Sequence, residues 1–146
     1  LGDVYKRQPI YSDEDAGKRE ADYNEIRLAE IYYSLAECKF KANDVDGAAK
    51  LLNAVRKRNY PQDTWAEYLY KPEGTVTLTQ DELYDEWGRE FLAEGRRRTD
   101  LIRWGLYCTE EWWDKKPDAD SHWDIFPIPR DMMGADHTLK QNPGYN

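Results

Sequence analysis

The chain has 146 residues, 21 Lys and Arg against 29 Asp and Glu, and a formal net charge of −8. That length fits one domain, and an acidic balance without a basic face argues against a nucleic-acid partner. No run of about 18 apolar residues exists to span a bilayer, and the opening residues lack the apolar stretch of a signal peptide.

Leu, Ile, Val and Phe make only 25 residues, below the ~20% that warns of disorder in a charged chain. Twenty aromatic residues speak instead for a folded chain, since disordered sequences are poor in rings. The expectation is an aromatic-rich core that leans on sequence outside this chain.

Residues 1–24 show no period and read as loop or disorder, the opening LGDVYKRQ as partly a non-native scar. From Glu25 to Lys41, Leu28, Ile31, Leu35 and Cys38 recur at helical spacing, with Ile26, Tyr33 and Phe40 off that stripe. A helix with two apolar faces is expected to sit between neighbours. Asn43 and Asp44 suit a turn and cap, and Ala48, Leu51, Leu52 and Val55 make a second amphipathic helix from Asp46 to Arg58. The two predict an antiparallel helical hairpin.

Asn59 to Leu78 is a long connection holding Pro61, Pro72 and Gly74 together with Trp65, Tyr68 and Tyr70. Loops of that length are functional or disordered, and three large rings disfavour disorder. Thr79 and Glu82 form a capping box for a third helix whose apolar face is Leu83, Trp87 and Phe91, with Gly95 as its stop. Gly88 inside that helix predicts close packing. A short fourth helix fits Thr99 to Trp104, ended by Gly105, and Trp87 and Trp104 read as core. Beyond Tyr107 the sequence is irregular and aromatic, Pro127-Ile128-Pro129 is extended, and no β-sheet is expected. The predicted class is mainly α: a tetratricopeptide-like helical hairpin, further helices and an irregular aromatic-rich C-terminal region.

The cluster Glu90, Glu94, Arg96, Arg97, Arg98, Asp100 and Arg103 has the charges of a salt-bridge network holding helix ends. Its carboxylates also admit a glycosidase reading, which has only acidity behind it. His122 and His137 are isolated, no metal-ligand spacing is present, and no nucleophile or phosphate-loop motif occurs. The expectation is therefore no catalysis, no metal and no cofactor. Cys38 and Cys108 read as two packed thiols and leave the redox compartment open.

Four stretches together resemble the C-terminal part of the SusD/RagB family: IRLAEIYYSLAEC with AAKLLNAVRKR, EWGREFLAEGRRRTDLIRWG, FPIPRDMM and LKQNPGY. Their order and spacing match, and they span Ile26 to the C-terminus. Trp87 and Gly88 interrupt a run that is usually richer in arginine, Arg96, Arg97 and Arg98 follow the Glu-Gly pair where His or Phe is common, and Ala135-Asp136-His137 replaces an Asn-Pro. The resemblance implies that residues 25–146 are the C-terminal domain of a longer lipoprotein. Such a protein is lipid-anchored and surface-exposed on the outer membrane of Bacteroidetes-like bacteria. It binds an oligosaccharide or polysaccharide without chemistry and passes it to a SusC-like TonB-dependent transporter.

A sugar ring offers a face of C–H groups on which a flat aromatic stacks, while its hydroxyls need polar edges. Trp65, Tyr68 and Tyr70, beside Gln62, Asp63 and Glu67, and Trp112 and Trp113, beside Glu110, Glu111 and Asp114, are the candidate ligand-binding residues. The alternative for each group is a plug that packs loops onto helices. The rival function is a tetratricopeptide-like protein–protein interaction module, supported by the hairpin alone.

Overall fold

The computed structural model describes residues 25–145, so the expectations for residues 1–24 lie outside the described residues. Among the described residues are six α-helices and no strand. The chain divides into two compact units, one reaching to Trp87 and the other starting at Gly88.

In the first unit, α1 (Leu28–Lys41) and α2 (Val45–Arg56) form the predicted hairpin. The turn is set by Asn43 in the left-handed region, φ 63°, which Asn tolerates because its short polar side chain bonds locally. Asp44 caps α2 by accepting from Gly47 N at 2.9 Å. The Lys39 ammonium, bonded to Asp44 at 2.6 Å, is the main cause holding that carboxyl below its ordinary value.

The stripe counted on α1 is not the one that packs. Leu28, Ile31 and Leu35 are 48–69% exposed and Cys38 is exposed, whereas Ala29, Tyr33, Ala36 and Glu37 are buried. The reason lies in the partner: α2 presents Ala48, Ala49 and Leu52, all fully buried, and small residues on both helices let the two backbones approach closely. Tyr33 meets Trp87 edge-on at 5.5 Å, the arrangement that the ring quadrupoles favour. Burying a side chain of the size of Leu52 contributes about 1.5–3 kcal/mol.

The connection after α2 is ordered by a 3-10 turn, Gln62–Thr64, running into the short α3 (Trp65–Tyr68). Helix α4 (Gln80–Glu90) begins as predicted, Thr79 Oγ1 accepting from Glu82 N at 3.1 Å. It stops five residues before Gly95, because Ala93 already turns left-handed at φ 62°.

In the second unit, α5 (Arg97–Arg103) starts two residues earlier than predicted. Its Arg97 guanidinium lies against Gly88, where a Cβ would sit 3.2 Å from Nη1, so the predicted close packing is met by a side chain. Trp87 is buried, but Trp104 is only half-buried, with the Arg103 guanidinium 4.5 Å from its ring centre. A 3-10 turn, His122–Asp124, and a short helix, α6 (Arg130–Ala135), which the sequence pattern did not reveal, interrupt the irregular tail.

The tail is strapped down by its last residues. Gln141 Oε1 accepts from Ile128 N at 2.7 Å and its Nε2 donates to Ile128 O at 2.8 Å. Asn142 donates to Phe126 O and Tyr145 to Ile125 O, each at 2.8 Å. Gly144 has φ 87°, and a Cβ there would fall 2.5 Å from His122 Cβ, so no other residue fits. Arg98 donates to Trp123 O at 2.7 Å and covers the Phe126 ring at 3.8 Å.

Candidate functional site

The connection from Asn59 to Leu78 is anchored from beneath by a buried polar network. Glu86, on α4, accepts from Tyr33 Oη at 2.8 Å and from Arg56 Nη1 at 2.5 Å. Tyr70 Oη accepts from Arg56 Nη1 at 2.9 Å, and its one proton is shared between Glu82 Oε1 at 2.9 Å and Glu86 Oε2 at 3.2 Å. Burial, and then the nearby Glu86 carboxylate, raise the Tyr70 phenol far above its ordinary range, so it stays a donor. Asn53 grips the Tyr70 backbone at both ends: it accepts from Tyr70 N at 2.9 Å and donates to Tyr70 O at 2.8 Å.

Above this network lies an aromatic surface. Trp65 and Tyr68 share α3, three residues apart and hence on one side of the turn. Trp65 Nε1 donates to Tyr60 O at 3.0 Å, and the Lys57 ammonium lies 4.9 Å from its ring centre while also pairing with Glu73. The Tyr68 ring stacks on Tyr60 with centres 4.7 Å apart and planes 9° from parallel, and Tyr68 remains 38% exposed. Behind them Thr75 N donates to Ala66 O at 3.0 Å and Val76 N to Leu69 O at 3.1 Å. Gln62, Asp63 and Glu67 are exposed on the same stretch. The arrangement supplies flat apolar faces with hydrogen-bonding groups at their edges.

Of the sequence-derived candidates, Trp65 and Tyr68 come together, and Tyr70 does not join them. Tyr70 is fully buried, because its hydroxyl is needed between three ionised groups and its ring lies 4.5 Å from the Arg56 guanidinium. Tyr60 was missed; its signal is the Tyr-Pro step that opens the connection, a ring placed where the chain must turn. Trp112 and Trp113 belong to the second unit. Trp112 N and Lys115 O, 2.9 Å apart, close a tight turn, Trp112 is half-buried near Lys115, and Trp113 is 97% exposed.

The charged cluster is in part the expected network. Asp100 is buried and pairs with Arg103 at 2.9 Å and Arg96 at 3.5 Å, while Arg98 serves the tail instead. The pair of packed thiols is half right: Cys108 is buried, Cys38 is exposed. Burial, then a hydrogen bond to Asp124, push the Cys108 thiol up to about 11. Among the described residues no group of three or more His, Cys, Asp or Glu is placed to hold a metal ion, and no helix is long and apolar enough to cross a membrane.

Hairpin, capped helices and strapped tail define a mainly α, tetratricopeptide-like protein that carries surface aromatics on a short buttressed helix. The chain belongs to the SusD family, whose model matches residues 11–145. It is similar to the starch-binding protein SusD of Bacteroides thetaiotaomicron, 37% identical over 132 residues, covering 82% of this chain and 21% of that protein. It is also similar to the SusD-like protein P25 of Formosa agariphila, 36% identical over 82 residues, covering 56% of this chain and 15% of that one. The chain thus spans about a fifth or less of the length of these relatives.

Proposed function

We propose that this chain is the C-terminal portion of a non-catalytic glycan-binding protein of the outer membrane, held there by a lipid on its N-terminal part. It delivers an oligosaccharide or polysaccharide to a SusC-like TonB-dependent transporter. The observation that carries the reading is the Trp65–Tyr68 surface, with Tyr68 exposed and stacked on Tyr60 and Trp65 half-buried beside it, in a chain similar to a protein named for binding starch. Trp65 and Tyr68 stack on sugar faces, Gln62, Asp63 and Glu67 meet hydroxyls, and Trp112 and Trp113 offer a second aromatic contact. A face-on ring contributes about 0.5–1.5 kcal/mol beyond burial, so affinity is built from several weak contacts.

The test is affinity electrophoresis of the full-length protein in gels containing soluble starch, mixed-linkage β-glucan or xylan. Retardation by at least one polysaccharide is expected, with Trp65→Ala and Tyr68→Ala each weakening it about fivefold to tenfold at an unchanged melting temperature. No retardation by any of the three overturns the glycan reading. Retained binding with a lowered melt makes Trp65 and Tyr68 structural plugs.

A second reading rests on a different observation. The exposed Leu28, Ile31 and Leu35 on α1 form the kind of helix face that a tetratricopeptide-like module offers to another helix.

A further inference from the structure

We propose that Arg56 is a positioning residue for the aromatic surface, its single guanidinium joining the buried Glu86 carboxylate to the backbone of the residue whose ring is displayed. The proposal rests on the reading of Trp65 and Tyr68 as ligand-binding residues. Arg56 is the last residue of α2 and is buried. Its Nη1 donates to Glu86 and to Tyr70 Oη, and its Nη2 donates to Tyr68 O at 2.7 Å. Its Cζ lies 5.3 Å from the centre of the Tyr60 ring, on which Tyr68 stacks. One group therefore touches both the backbone of Tyr68 and the ring beneath its side chain.

Helix α3 needs such a partner. With four residues it closes a single full turn, Leu69 N to Trp65 O at 2.9 Å, and an isolated turn has no stability of its own. Its last carbonyls have no intrahelical donors, and Arg56 supplies a cationic one at the end where cations are favoured. The remaining donor of the guanidinium shows what sets its orientation. Arg56 Nε is buried with no acceptor among the described residues, a loss ordinarily avoided, so the geometry that serves Glu86, Tyr70 and Tyr68 together is held at the expense of Nε. A lysine, a point charge on a flexible stem, cannot span both sides. With the span lost, the Tyr68 and Tyr60 rings must be ordered by the ligand itself, and that ordering is subtracted from affinity.

The test uses the full-length protein and whichever of the three polysaccharides retards it most. Arg56→Lys is compared with Tyr33→Phe, which removes a hydroxyl from the far side of the same network and does not touch the aromatic surface. Arg56→Lys is expected to weaken binding about fivefold and to speed deuterium uptake in residues 60–70 more than in 28–41. Tyr33→Phe is expected to lower the melt while leaving binding and uptake in 60–70 unchanged. Equal loss of binding in the two variants at matched melting temperatures, or unchanged uptake in 60–70 in Arg56→Lys, overturns the proposal. Should Arg56→Lys not fold, the unaltered protein decides: uptake in 60–70 as slow as in the hairpin supports a held surface, and uptake at the unprotected rate overturns it. If Trp65→Ala and Tyr68→Ala leave binding intact, the site reading fails and the positioning role with it. If they abolish binding while Arg56→Lys keeps it, the positioning role alone fails.

Discussion

Glu86→Gln asks most directly whether the buried network holds the first unit together. The substitution keeps the shape of the side chain and removes its charge. Three donors converge on that carboxylate, Tyr33 Oη at 2.8 Å, Arg56 Nη1 at 2.5 Å and Tyr70 Oη at 3.2 Å, and both charged partners are buried, at 7% and 4% side-chain exposure. An exposed pair would be worth about 0–1 kcal/mol. Here the guanidinium cannot turn to water, so losing its counter-charge is expected to cost about 3–5 kcal/mol. Against the roughly 5–15 kcal/mol that holds a domain folded, that removes a large share. At about 2–8 °C per kcal/mol, the melt followed by circular dichroism should fall by roughly 10 °C or more, or lose its cooperative transition. Replacing both partners, Arg56→Met with Glu86→Leu, should cost less than the sum of the single changes, since no buried charge is stranded. A Glu86→Gln protein melting within about 2 °C of its parent would refute the reasoning, because a buried pair of this geometry cannot lose its charge at so little cost.

Two further outcomes follow from single side chains in the second unit. Asp100→Asn should lower the melt less than Glu86→Gln does, by about 1–2 kcal/mol, because the carboxylate is buried but its partners Arg96 and Arg103 are part-exposed and can turn to water; an unchanged melt with lost sugar hydrolysis would favour the glycosidase reading. At pH 8 a thiol reagent should modify Cys38 at once and Cys108 only on unfolding, because the raised Cys108 pKa, about 11, keeps that buried thiol protonated and unreactive. Since folding raises that pKa, the preference for the folded state is complete below the ordinary thiol value and is lost as pH rises toward 11. Equal labelling rates for the two cysteines would contradict this.

Periodicity, capping and breakers determine the helices locally, and these were legible in the sequence. Asp44 and Thr79 start helices because their side-chain oxygens accept orphan N–H groups, and Gly105 at φ 74° follows the end of α5. The family resemblance was legible too, since its four stretches are the hairpin, the α4–α5 region and the two halves of the tail clasp. What sequence could not decide was which of two apolar stripes on α1 packs. That choice depends on the small residues α2 brings and on a carboxylate 53 positions away that Tyr33 must reach. The division among the loop aromatics is tertiary in the same sense. Tyr68 and Tyr70 are chemically alike and two residues apart, yet one is displayed and the other is consumed by Arg56, Glu82 and Glu86. Tyr68 ends the one turn of α3 and Tyr70 lies just past it in extended backbone. Alternation in an extended segment would put residues two apart on one side, so it is the network beneath that takes Tyr70 into the interior and leaves Tyr68 displayed.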